Sequence, residues 1–104
     1  MRARIELLRS LPAWAGRVAA AHTIPREMRA EEGYRFDPER FRELRTPTLL
    51  LVGGDSPIFL RAGNDTLKEV LPNAQLVVMP GQQHAAMETG TQLFTTEVLR
   101  FLRA

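Results

Sequence analysis

The chain contains no cysteine and no apolar run long enough to cross a membrane. Without cysteine, a disulfide scaffold, a thiolate metal site and a cysteine nucleophile are all excluded. Without a long apolar run, neither a signal peptide nor a membrane helix is predicted. We therefore expect a soluble cytoplasmic protein that has no membrane partner and is stabilised by packing alone.

A strong excess of one charge is also missing, since 14 basic residues face 12 acidic ones. No run of five like charges occurs, and aromatic residues are not interleaved with basic ones, so we predict no nucleic-acid partner. Only two histidines are present, and neither has a second ligand at metal-site spacing. We therefore predict no metal and no cofactor, and interpret His22, beside an alanine-rich segment, as a surface or packing residue.

Two apolar runs, Thr48–Val52 and Gln75–Met79, are the clearest structural signals. They lack polar alternation, which indicates strands buried on both faces, as in parallel sheets. Between them, residues 57–71 are predicted to form a helix, because their apolar positions Phe59, Leu67, Val70 and Leu71 are compatible with helical spacing.

The rest of the chain is predicted to be mainly helical. Residues 1–35 contain helical segments interrupted at Pro12, and Asp37 is a predicted N-cap. Thr89 and Gln92 have the spacing of a capping box before the last helix. The predicted class is α/β, with the order α-α-β-α-β-α and two parallel strands.

Each predicted strand ends at a loop that holds one ionisable residue. Asp55 lies in Gly-Gly-Asp-Ser-Pro and His84 in Pro-Gly-Gln-Gln-His. The carboxyl ends of parallel strands share one sheet edge, and neighbouring strands lie about 4.8 Å apart. We therefore expect the two loops to be neighbours, with the carboxylate and the imidazole close enough for a hydrogen bond. Such a pair is typical of a base and the acid that orients it.

The stretches 45–57 and 71–84, followed by a closing helix, resemble the C-terminal end of an α/β hydrolase. The resemblance covers residues 36–104, and residues 1–35 resemble the end of the helical cap of such enzymes. It implies part of a three-layer α/β-hydrolase-like sandwich. It further implies serine-type acyl transfer to water on a small ester-like substrate, with His84 and Asp55 as catalytic residues.

The sequence departs from the family pattern at the acid and at the nucleophile. The family places its acid where Ser56 stands, one residue after Asp55, and some relatives take the acid from an earlier strand. Asp55 has the alternative role of capping the following helix. The nucleophile motif Gly-x-Ser-x-Gly is missing around both serines, Ser10 and Ser56. We therefore expect a C-terminal fragment that lacks its nucleophile and is inactive alone.

Two other functions compete with this interpretation. Gly54-Asp55-Ser56 resembles the nucleophile block of GDS-type esterases, with Asn64 in a weak match to their oxyanion block. Those enzymes have an aspartate three residues before the histidine, where this chain has Gly81. The second alternative is a non-catalytic module that pairs with another chain. Apart from these alternatives, we expect the uncharged, unpaired edge of strand 48–52 to promote self-association of the chain.

Overall fold

The computed structural model describes residues 1–104, which divide into two compact units, Met1–Phe36 and Asp37–Ala104. The first unit is entirely helical, and no residue of its helices is buried. Its elements are α1 (Arg2–Ser10), α2 (Trp14–Ala20), a short 3-10 turn (Ala21–Thr23) and α3 (Ile24–Gly33). Pro25 stands in the first turn of α3, where a missing N–H leaves no helical hydrogen bond unmade. The structure contains no helix long and apolar enough to cross a membrane.

The second unit contains both strands and three further helices. It begins with a 3-10 turn at Pro38–Arg40, where the Asp37 side chain accepts a hydrogen bond from the Glu39 N–H at 3.1 Å. The predicted N-cap is thereby confirmed. The remaining elements are β1 (Thr48–Gly53), α4 (Ile58–Val70), β2 (Ala74–Met79), α5 (Ala86–Thr89) and α6 (Thr91–Arg103).

The two strands form a parallel sheet, as the apolar runs predict. Thr48 lies opposite Ala74, and the register continues without a bulge to Gly53 opposite Met79. No residue of β1 is exposed, whereas Gln75 and Val78 of β2 are. Leu50 and Val52 on one face of β1 are buried, whereas Leu49 and Leu51 on the other are half-buried. Burial on both faces is therefore confirmed only in part for β1 and is wrong for β2. Since the sheet has only these two strands, each has one edge without a strand partner.

The core lies where α4 packs on the sheet. Leu50, Leu71 and Ala74 are buried together, and Phe41, Leu67 and Leu76 pack against them. Phe59, one of the apolar positions that indicated this helix, is 75% exposed. The reason is helical periodicity: Leu60, half-buried, is seven residues before Leu67 and shares its face, whereas Phe59 lies about 100° around the helix from Leu60.

The predicted capping box of the last helix is wrong. Thr89 is the last residue of α5, and the N-cap position of α6 is Gly90, which has no side chain to offer. The Thr89 hydroxyl donates instead to the Gln82 side-chain oxygen at 2.9 Å and to the Ala85 carbonyl at 3.2 Å. The Thr89 hydroxyl therefore bonds to the loop before α5 and does not cap α6.

Candidate active site at the carboxyl edge of the sheet

The loop after β2 lies directly against the end of β1. A Cβ atom on Gly53, the last residue of β1, would lie 2.5 Å from the main-chain oxygens of both Gln82 and Gln83. A side chain at Gly53 would thus collide with backbone, so glycine permits the close approach. Gly81, with a φ of +70°, supplies the left-handed residue that turns the chain after β2.

Main-chain hydrogen bonds join the two loops. The Gly54 N–H donates to the Met79 carbonyl at 2.8 Å, and the Asp55 N–H donates to the Gln82 carbonyl at 2.8 Å. The Gln82 N–H donates to the same Met79 carbonyl at 3.4 Å. These contacts confirm that the loops carrying Asp55 and His84 lie side by side.

Asp55 and His84 themselves are exposed, and their side chains make no hydrogen bond or ion pair with each other or with any other residue. The Asp55 side chain does not cap α4 either. That helix begins after Pro57 and has no side-chain cap, which corrects the alternative role considered for Asp55. The fold thus brings an acid and an imidazole to one edge, each open to solvent. Their catalytic roles stay predictions.

The two serines differ sharply in environment. Ser56 is only 8% exposed, and its N–H donates to the Gly53 carbonyl in a turn at 3.0 Å. Ser10 is exposed on α1, where its hydroxyl donates to the Leu7 carbonyl. Asn64, which matched the oxyanion block, lies inside α4 and donates to the Leu60 carbonyl at 3.4 Å. None of these arrangements favours a GDS-type site.

Sequence reasoning missed Gln82 and Gly90 and gave Thr89 a different role, although all three secure the His84 loop. The Gln82 side chain accepts the Thr89 hydroxyl, and a Cβ atom on Gly90 would lie 2.7 Å from the Gln82 side chain. Arg61 of α4 was also missed, and its guanidinium donates to the Gly54 carbonyl at 3.3 Å. No local motif reveals these contacts, because each joins residues that are seven or eight positions apart.

The structure contains no cluster of metal-binding side chains. No group of three or more histidine and acidic side chains is placed to hold a metal ion. His22 is exposed, with its Nδ1 atom 3.0 Å from the Ala19 carbonyl. A shallow surface hollow lies along the end of α6 and contains neither candidate residue; its lining is Thr96, Leu99, Arg100, Arg103 and Ala104.

No protein-family model, curated protein or solved structure matches this chain. What can be inferred of its function therefore depends on the residues themselves and on the geometry of this edge.

Proposed function

We propose that this chain is the C-terminal part of an α/β hydrolase that transfers the acyl group of a small ester-like substrate to water. The observation that carries the proposal is the hydrogen-bonded pair of loops after β1 and β2. They place Asp55 and His84 at one edge of the sheet. In the proposed enzyme the two strands belong to a larger three-layer sandwich, the first unit is the end of a helical cap, and the location is cytoplasmic.

In the proposed reaction, His84 is the general base and then the general acid. It takes the proton of a serine hydroxyl as the serine oxygen bonds to the ester carbonyl carbon. It returns that proton to the alkoxide oxygen when the carbon–oxygen bond of the ester breaks. Water then repeats the sequence on the acyl-enzyme. Neither Ser10 nor Ser56 lies in a nucleophile elbow, so the proposal requires a serine outside these residues.

Asp55 is the proposed orienting acid, and its main chain is already fixed to the histidine loop. The Asp55 N–H donates to Gln82, two residues before His84. The side chains themselves are not bonded, so rotation about their side-chain torsions must bring them together in the working enzyme. An exposed carboxylate and imidazole are free to make that rotation.

The test uses the polypeptide in which an in-frame Gly-x-Ser-x-Gly segment precedes this chain. We expect His84→Gln to lower kcat/KM for a short-chain aryl ester by at least about a thousandfold, because the serine loses its base. His22→Gln is the matched control, since His22 is the only other histidine and is also exposed. Unchanged hydrolysis by His84→Gln, or the lack of any such segment in the reading frame, would refute the proposal.

The acid is tested separately. We expect Asp55→Asn to reduce kcat strongly, whereas Asp65→Asn, an exposed aspartate on α4, leaves it unchanged. If His84→Gln inactivates the enzyme and Asp55→Asn does not, the orienting acid is another residue and Asp55 has no catalytic role.

The second candidate function is a non-catalytic module that pairs with another chain. The observation that favours it is the two-stranded sheet, in which β1 has no strand beyond it. Ile58 and Phe59 add exposed apolar surface, at 83% and 75% exposure. An unpaired, uncharged strand edge recruits further strands, and a second copy of this chain is the proposed partner.

A further inference from the structure

We infer that Gln82 is a positioning residue whose side-chain bond to Thr89 holds the His84 loop against β1. The inference rests on the proposed function for what the loop does, but the contacts that carry it belong to the structure. The main-chain N–H, the main-chain carbonyl and the side-chain oxygen of Gln82 each form a hydrogen bond. His84 lies in the short segment between Gln82 and Thr89.

The main chain of Gln82 links the loop to the sheet. Its carbonyl accepts the Asp55 N–H at 2.8 Å, and its N–H reaches the Met79 carbonyl at 3.4 Å. The carbonyl also lies within 2.5 Å of where a Cβ atom of Gly53 would stand. Gln82 therefore contacts both β1 and the Asp55 loop from within the histidine loop.

The side chain of Gln82 links the same loop to the end of α5. Its oxygen accepts the Thr89 hydroxyl at 2.9 Å, and the side chain lies against Gly90, where a Cβ atom would come within 2.7 Å. Inside the closed segment, the Ala86 N–H donates to the Gln83 carbonyl at 3.1 Å and completes a turn that contains His84. The loop is thus hydrogen-bonded at both ends, and His84 lies exposed in its middle.

Thr89 offers a matched set of variants. Thr89→Val removes the hydroxyl and keeps the shape, whereas Thr89→Ser keeps the hydroxyl. Thr96→Val is the control, because the Thr96 hydroxyl makes only a bond to the Gln92 carbonyl one turn earlier in α6. The Thr89 hydroxyl makes a comparable local bond to Ala85. The difference between the two valine variants therefore isolates the bond to Gln82.

The readouts are amide hydrogen exchange at Asp55 and the imidazole NMR signals, with His22 as internal reference. We expect Thr89→Val to lower the protection factor of the Asp55 amide about fivefold, the effect of losing one ordinary hydrogen bond. The His84 signals should shift while those of His22 stay fixed. Thr89→Ser should restore the wild-type values, and Thr96→Val should leave both readouts unchanged.

Unchanged Asp55 protection in a folded Thr89→Val variant would overturn the inference, as would a Thr89→Ser variant that behaves like Thr89→Val. If Thr89→Val does not fold, the test is made on the unmodified chain. There we expect a nuclear Overhauser effect between the Thr89 methyl group and the Gln82 side-chain amide. Its absence overturns the inference. These readouts do not depend on catalytic activity. They therefore test the positioning role alone, whereas the His84→Gln assay tests the hydrolase proposal.

Discussion

Replacing Gly53 with alanine tests the close approach of the two loops most directly. The new Cβ atom would lie 2.5 Å from the Gln82 and Gln83 oxygens, so the loop must retreat by about 0.9 Å to reach an ordinary contact. A retreat of that size stretches the 2.8 Å bond from Asp55 to Gln82 beyond hydrogen-bonding range.

The expected cost follows from three contributions. Overpacking of this kind costs about 1–3 kcal/mol, and the lost hydrogen bond costs about 1 kcal/mol. Alanine offsets about 0.5–1 kcal/mol of this, because it restricts the unfolded chain more than glycine does. We therefore expect Gly53→Ala to lower the free energy of unfolding by about 1–3.5 kcal/mol.

Gly63→Ala is the matched control. Gly63 lies inside α4, and a Cβ atom there would have nothing within 4 Å. Alanine should stabilise the helix by about 1 kcal/mol. The two substitutions should thus shift the midpoint of urea unfolding, measured by circular dichroism, in opposite directions: Gly53→Ala to lower and Gly63→Ala to higher urea concentration. A Gly53→Ala variant as stable as the unmodified chain, beside the expected gain in Gly63→Ala, would refute the loop contact.

Three further outcomes are expected. Purified chain should not hydrolyse short-chain aryl esters, because it has no nucleophile elbow; turnover that disappears in Ser56→Ala would instead support the GDS-type alternative. Gly81→Ala should cost about 1–2 kcal/mol in urea unfolding, because φ at this position is +70°, and Gly81→Asn should cost less. In sedimentation velocity, the chain should associate more as its concentration rises. The substitution Leu49→Lys should weaken this association, because Leu49 is a half-buried residue of β1. A concentration-independent monomer would exclude pairing through that edge.

The strands and the neighbouring loops could be predicted because their signals are local or topological. Uninterrupted apolar residues marked β1 and β2, and the parallel crossover required the loops of Asp55 and His84 to share an edge. The same reasoning could not determine side-chain torsions. The two loops are bonded through main-chain atoms, whereas the Asp55 carboxylate and the His84 imidazole form no hydrogen bond with each other.

The errors came from features that local patterns do not specify. The capping box was predicted from the spacing of Thr89 and Gln92 alone, without the short helix α5. Because Thr89 ends α5, it precedes the N-cap position at Gly90 and bonds to Gln82. Phe59 was counted in the helical pattern because it is apolar, although Leu60 is the residue on the half-buried face. Gln82 itself gave no signal, since its three bonding partners lie in a loop, at the end of a strand and at the end of a helix.

The lack of buried residues in α1, α2 and α3 has a consequence for limited proteolysis. These helices have 9, 7 and 10 residues, and helices shorter than about 12 residues are marginal in water without tertiary packing. Each can therefore open locally at little cost in free energy. Seven arginines lie in residues 1–36, so trypsin should digest this unit first and leave the sheet-containing unit as the resistant product.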